Sequence, residues 1–181
     1  AHLVADVPRD ASGRPAIAEW QLAVDYGTAN PFDAGLLGVG YDDRLYLTRG
    51  WRWDSRKERR QLTDAEYSTK LRRWVDDTLP ADLGAPVELE RVHVDPSAAS
   101  FSNQLHRDGW TGVRNADNEV LGGIRSVASL MAAGRLKIVD HPSLGDGVTE
   151  MAGYQWDEDA LERGEEKPVK VNDHFPDQLR Y

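Results

Sequence analysis

Apolar and polar positions alternate along the chain in a pattern that predicts both strands and helices. Three apolar segments come first, at residues 21–28, 34–41 and 44–53, and short polar turns separate them. The first segment is apolar at nearly every position, which is typical of a central strand buried on both faces. Because the connections are short, the three segments predict an antiparallel meander. Residues 1–19 show no such pattern and predict an N-terminal linker of low order.

Helices alternate with single strands after residue 60. An amphipathic stripe begins at Thr63, which has capping-box spacing to Glu66, and we expect Pro80 to end that helix. Further strands are predicted at 87–95, 109–113 and 135–140. Further helices are predicted at 97–109, at 119–133 with Asp117 or Asn118 as the cap, within 142–156, and after Asp173 as the cap. Residues 157–171 are predicted to form a polar surface loop. This order predicts a mixed α/β sheet with helices on its faces.

Composition narrows the possible class of protein. The 181 residues suit one domain with a real core, and the absence of cysteine excludes disulfides and thiolate metal sites. No apolar run approaches the roughly 18–20 residues that span a bilayer, so no membrane association is expected. The net charge of −9 argues against a protein that binds nucleic acid through a basic surface all round.

The charge is unevenly distributed. Residues 49–73 contain nine basic and four acidic residues, a local charge of +5, which leaves −14 for the rest of the chain. Four of these cations, Arg56, Lys57, Arg59 and Arg60, are grouped in one predicted turn. An acidic body with one basic patch fits an enzyme that binds metal ions and touches a polyanion with one face. A solvated, charged loop and helix surface explains the same pattern.

Four residues are candidates for the chemistry. Asp25 and Asp95 each close an apolar strand, and Asp177 lies three residues after His174, on one face of the last helix. Two strand-end carboxylates and a helical carboxylate can hold two hard cations about 3.5–4 Å apart, which activate a water at a phosphodiester. Taken singly, each aspartate is more typical of a turn or cap than of a metal site, so only the combination predicts a metal site.

Asp25, Gly27 and Thr28 also have the spacing of the phosphate turn in actin-like and sugar-kinase-like ATPases. Such an ATPase needs two lobes and a second glycine-rich phosphate turn. The sequence offers neither, since Gly122 and Gly123 lie within a predicted amphipathic helix. A non-enzymatic interaction domain with incidental aspartates is a further alternative.

Three motifs follow one another along the chain: "VDYGTANPFDAGLLGV", "VHVDPSAASF" and "VKVNDHFPDQLRY". They resemble the first metal strand, the second acidic motif and the C-terminal motif of the C-terminal nuclease domain of the large terminase subunit of tailed bacteriophages. The resemblance covers roughly residues 20–181. Gln178 replaces a common alanine, and Phe175 and Pro176 replace the usual small residues.

The resemblance implies a ribonuclease H-like fold for residues 20–181 and a metal-dependent endonuclease that cuts double-stranded, concatemeric phage DNA during packaging. It implies Asp25, Asp95 and Asp177 as catalytic metal ligands for two Mg²⁺ or Mn²⁺ ions, and His174 as an accessory ligand or proton-transfer group. The cations of the basic turn, Arg56, Lys57, Arg59 and Arg60, would contact the DNA backbone.

The resemblance also implies partners and a location. These are the terminase small subunit, the portal protein and an ATPase domain, all in the host cytoplasm. The sequence contains no Gly-x-x-x-x-Gly-Lys-Ser/Thr phosphate loop, so we expect a nuclease domain separated from its ATPase domain. Another ribonuclease H-like nuclease, such as a junction resolvase or a transposase core, would use the same acids on a different substrate.

Overall fold

A single seven-stranded sheet organises the molecule, with strand order β1-β7-β4-β3-β2-β5-β6. The computed structural model describes residues 2–27, 31–117, 119–163, 165–169 and 174–180. The strands are β1 (Leu3–Val4), β2 (Ile17–Asp25), β3 (Phe32–Gly40), β4 (Leu45–Trp53), β5 (Leu89–Val94), β6 (Val113–Asn115) and β7 (Leu136–Val139). β2, β3 and β4 form the antiparallel meander, and every other pairing is parallel. The predicted mixed sheet is therefore confirmed.

Helices follow the strands as the sequence pattern indicated. They are α1 (Asp64–Arg73), a π-helical turn (Trp74–Thr78), α2 (Leu79–Leu83), α3 (Ala99–Arg107), α4 (Val120–Ala132), α5 (Gly145–Gly153) after a 3-10 turn, α6 (Glu158–Glu162) and α7 (His174–Arg180). The capping box at Thr63 and Glu66 is present. Within the described residues, no helix is long and apolar enough to cross a membrane.

Pro80 does not end the first helical segment, contrary to the sequence prediction. The backbone N–H of Leu79 bonds back to Trp74, five residues earlier, so the chain widens into a π-helical turn there. Pro80 then falls in the first turn of α2, where its missing N–H is not needed. Gly84, with a φ of 71°, ends the segment instead.

Three other local predictions need correction. Residues 2–19 are more ordered than expected, because β1 pairs with β7 and because Val7, only 4% exposed, packs with Tyr46 and Val139. The division into a linker and a nuclease domain stays a prediction. The predicted loop 157–171 contains α6, and Glu119 caps α4 through its own side chain. Asn118 and Asp173, also predicted as caps, lie outside the described residues.

The two faces of the sheet differ in character, and strict alternation along the central strands sends side chains to one or the other. We call the face covered by α1, α2 and α3 the aromatic face. Its core contains Trp20, Leu22, Val24, Phe32, Ala34, Leu36, Tyr67, Leu71, Val92, Val94, Phe101 and Leu105. We call the opposite face, covered by α4, α5 and α7, the acidic face. Its main core has four buried residues, Leu47, Ile138, Leu144 and Phe175.

Candidate functional site

Two of the predicted carboxylates meet at one edge of the sheet. Asp25 is the last residue of β2, and Asp95 follows directly after β5, the parallel neighbour of β2. Val24 and Val94 are register partners, and the Asp95 N–H donates to the Val24 carbonyl at 3.3 Å. Because parallel strands end at the same edge, the two aspartates lie side by side, as strand-end chemistry requires.

Asp25 is held by the last helix. His174 at the start of α7 places Nδ1 3.0 Å from Asp25 Oδ2, and the Asp25 side chain is only 13% exposed. Burial raises the pKa of Asp25, the hydrogen bond from His174 opposes this, and the charges of Asp177 and Asp95 raise the pKa further. The bond to Asp25 raises the pKa of His174 in turn, against the effect of its burial.

Asp177 faces two groups of opposite charge. Its Oδ1 accepts a hydrogen bond from Arg180 Nε at 3.0 Å, one turn along α7. At the same time it is close enough to Asp25 to raise the pKa of that carboxyl. The structure thus brings Asp25, Asp95, Asp177 and His174 to one edge of the sheet. In the part of the chain described, however, no three acidic or histidine side chains are gathered tightly enough to enclose an ion as they stand.

The sequence analysis missed a second charged group beside the first. Asp33 on β3 is the register partner of Asp25, so both side chains lie on the acidic face. Arg52 on β4 donates from Nε to Asp33 Oδ2 at 2.8 Å and lies 2.7 Å from Glu150 on α5. Burial raises the pKa of Asp33, and the bond from Arg52 opposes the rise. Arg52 therefore neutralises two carboxylates that would otherwise repel each other.

Glu150 links this group to α7. Its Oε2 accepts the backbone N–H of Phe175 at 3.0 Å, in the first turn of α7. A carboxylate at a helix N-terminus satisfies an orphan donor and complements the helix dipole. The position of His174 therefore depends on an α5 side chain about 25 residues earlier in the sequence. No sequence spacing predicts this, since it depends on how α5 packs against α7.

The predicted DNA-contacting residues lie in the turn that follows β4. β2 and β4 run in the same direction, so this turn leaves the sheet at the edge where Asp25 lies. Arg56, Lys57, Arg59 and Arg60 are all exposed. Lys57 Nζ lies 3.9 Å from Asp146 at the start of α5, and Arg60 pairs with Glu66. The basic turn therefore starts at the end of the sheet where Asp25 lies, and its Lys57 faces Asp146, which lines a cleft of about 310 Å³ together with Asp33 and Arg52.

Comparisons with known proteins identify what this arrangement resembles. No family model matches the chain. A curated relative, the large terminase subunit of Escherichia phage T5, is 24% identical over 170 residues, which are 90% of this chain and 34% of the T5 protein. Among solved structures, the large terminase of the thermophilic bacteriophage D6E is 38% identical with a TM-score of 0.85, over 99% of this chain and 41% of the D6E chain. The chain thus spans less than half the length of these two proteins.

A solved nuclease domain matches along nearly its whole length. The large terminase nuclease domain of bacteriophage SPP1, solved with bound Mn, has a TM-score of 0.64 and 13% identity, over 99% of this chain and 94% of that domain. At this identity the likeness shows the fold alone. Together the comparisons confirm the resemblance to large terminases and the ribonuclease H-like fold.

Proposed function

We propose that this chain is the nuclease domain of a phage large terminase and hydrolyses phosphodiester bonds of double-stranded DNA during genome packaging. The observation that carries the proposal is the meeting of Asp25, Asp95, Asp177 and His174 at one edge of a ribonuclease H-like sheet. The 38% identity to the D6E large terminase supports it, because that likeness extends over 99% of the chain.

The donor set fits hard divalent cations. Asp25, Asp95 and Asp177 would hold two Mg²⁺ or Mn²⁺ ions, since such ions prefer carboxylate oxygens. Burial is the main cause of the raised pKa of Asp25, and the charges of Asp177 and Asp95 raise it further, so bound cations would offset this repulsion. When bound, such ions lower the pKa of an attacking water and stabilise a departing 3′ oxygen. The SPP1 domain of the same fold holds Mn, which supports a divalent metal here.

The remaining residues position the site and its substrate. His174 is oriented by Asp25 through Nδ1, which suits an accessory ligand or a proton-transfer group. Arg56, Lys57, Arg59 and Arg60 would hold the phosphate backbone, a contact that is largely blind to base sequence. The choice of cutting site would then come from partners: the small subunit, the portal protein and an ATPase domain of the same motor, in the host cytoplasm.

Plasmid cleavage tests the proposal. The chain is incubated with supercoiled plasmid in Mn²⁺, in Mg²⁺ and in EDTA, beside Asp25→Asn and Asp177→Asn. We expect nicking and linearisation that need the metal, and a rate at least about 100-fold lower in each variant, since even residues that only support a metal ligand contribute 10–100-fold. Asp76→Asn, on the exposed π-helical turn of the aromatic face, is the matched control and should cut normally.

Two results would contradict the proposal. One is full cleavage by Asp25→Asn or Asp177→Asn. The other is no cleavage in either metal together with no Mn²⁺ binding by calorimetry. A strong preference for branched junctions over linear duplex would favour a junction resolvase instead.

A further inference from the structure

One buried polar side chain of α7 reaches away from the carboxylates. Gln178 is only 3% exposed, and its Nε2 donates to the backbone carbonyl of Ala23 on β2 at 3.2 Å. Ala23 lies two residues before Asp25 on the same strand, so the two residues share the acidic face. Gln178 therefore ties the last helix to the strand that bears the first carboxylate.

The distance between two residues of α7 matches the distance between their two partners on β2. His174 and Gln178 are one turn apart on one face of α7, about 6 Å along the axis. Asp25 and Ala23 are about 6.6 Å apart along β2. His174 contacts Asp25 at 3.0 Å while Gln178 contacts Ala23 at 3.2 Å, so α7 runs antiparallel to β2 with both contacts satisfied at once. Asp177, adjacent to Gln178, is thereby fixed along the strand.

Gly35 makes room for the Gln178 amide. It is the register partner of Ala23 on β3, and a Cβ built on it would lie 2.9 Å from Gln178 Cδ and closer still to Nε2. No side chain other than hydrogen fits there while the amide is in place. Two neighbouring register pairs of β2 and β3 thus lie on the acidic face. The pair Ala23–Gly35 contacts Gln178 of α7, and the pair Asp25–Asp33 consists of two carboxylates.

Packing alone does not fix α7 along the strand at this point. A cavity of about 90 Å³ remains between the helix and the sheet, lined in part by Ala23, Gly35, Leu37 and Gln178. Dispersion contacts across a gap are weak, and they do not favour one register over a neighbouring one. The directional bond from Gln178 does, because it is satisfied only where Nε2 meets the Ala23 carbonyl.

We propose that Gln178 is a positioning residue for the nuclease site, and that Gly35, which has no side chain, leaves the space that the Gln178 amide occupies. Together they set the register of α7, and with it the distance from Asp177 and His174 to Asp25. The metal-dependent part of this inference rests on the proposed nuclease function, whereas the seating of α7 does not.

A four-variant cycle tests the inference: the natural chain, Gly35→Ala, Gln178→Ala and the double variant. In Gly35→Ala the new methyl expels the amide and displaces α7. We expect Mn²⁺ affinity by calorimetry and kcat of plasmid cleavage to fall about ten-fold or more, with KM for DNA unchanged. The amides of 174–180 should lose protection from hydrogen exchange. Gln178→Ala alone should weaken affinity by a few-fold, since the bond is lost without a clash.

Rescue distinguishes positioning from a general loss of structure. In the double variant the methyl no longer meets the amide, and its remaining close neighbour is the flexible end of the Leu47 side chain at 3.1 Å. Affinity, kcat and exchange protection should therefore return to within about three-fold of Gln178→Ala. Gly153→Ala, at the end of α5, where no atom lies within 4 Å of the new Cβ, is the matched control and should behave as the natural chain.

The inference is overturned if Gly35→Ala keeps the natural Mn²⁺ affinity and exchange pattern, or if the double variant is as impaired as Gly35→Ala. If the natural chain itself neither binds Mn²⁺ nor cuts DNA, the proposed function fails. Hydrogen exchange still decides the seating of α7 in that case, because coupling between residues 35 and 178 in the protection of α7 needs no metal.

Discussion

The two faces of the sheet differ in what they bury: one is packed with aromatic rings and the other holds charged side chains. The aromatic face is packed with large rings: Tyr67, Phe32 and Phe101 are at most 1% exposed, and Phe32 stacks on Tyr67 with ring centroids 4.4 Å apart. The acidic face presents Asp25, Asp33 and a glycine to helices whose apolar core is small. None of the residues of α4 is buried, although that helix is the most apolar of the long ones.

The difference teaches where stability and chemistry reside. Burial of aromatic rings contributes free energy of folding, and the rings of Phe32 and Phe101 bring no polar group that needs a partner. A cluster of carboxylates does the opposite, because like charges held near one another oppose folding until a cation or an arginine compensates them. The aromatic face therefore stabilises a sheet whose other face is free to hold repelling charges. Each of the following predictions separates the two faces experimentally.

The largest effect on stability is expected from Phe101→Ala on the aromatic face. Phe101 is fully buried and touches the rings of Tyr26, Phe32 and Tyr67. Its truncation should lower the free energy of unfolding by about 3–5 kcal/mol, measured by urea titration without metal.

The matched change on the acidic face is Phe175→Ala. Phe175 is also buried, but it packs on Gly147 of α5 within a far smaller core. We expect a smaller loss of global stability and a selective loss of exchange protection in α7. Equal destabilisation by the two substitutions would show that the faces unfold as one unit and would undo the comparison.

A smaller effect, on DNA binding alone, is expected at the basic turn that follows β4. Arg59 has a left-handed φ of 51°, so Arg59→Gly removes a charge and relieves the backbone at once. Combined with Arg56→Ala, it should reduce the slope of log K against log salt by roughly 2, since each phosphate contact contributes about 0.9. Arg14→Ala, an exposed cation before β2 at the opposite end of the sheet, is the control. An unchanged slope would exclude this turn from the DNA contact.

The smallest effect is expected from Thr63→Ala, which removes the cap of α1 over the aromatic face. Thr63 accepts the Glu66 N–H at 3.3 Å, and the loss of such a cap costs about 1 kcal/mol. Thermal unfolding should show this loss, while Mn²⁺ affinity stays as it was. A change in Mn²⁺ affinity would mean that a substitution on the aromatic face alters the proposed metal site on the acidic face.

Local rules explain most of what the sequence predicted. Strand alternation and the capping box depend on neighbouring residues, so both could be predicted without tertiary information. The meeting of Asp25 and Asp95 followed from a general property of parallel strands. The prediction that Pro80 ends the first helix was wrong because the pattern of apolar positions does not reveal a π-helical turn.

The missed residues depend on contacts between distant segments. Asp33 could be paired with Asp25 only with the hairpin register, which the length of the connecting loop did not fix. Arg52 was counted as part of a basic patch, yet its partners are Asp33 and Glu150, on different elements. The amphipathic helix predicted at 119–133 is present as α4, but periodicity does not say how deeply the apolar face of a helix is buried.

The separation of the site residues along the chain has a consequence for synthesis. His174 and Asp25 touch across 149 positions of sequence, whereas the aromatic core is complete once residue 110 has been made. Domains fold as the chain emerges, at about 5–20 residues per second. A growing chain can therefore pack its aromatic rings first and spend several further seconds before α7 is made. The contact between His174 and Asp25 forms only after α7 has been made.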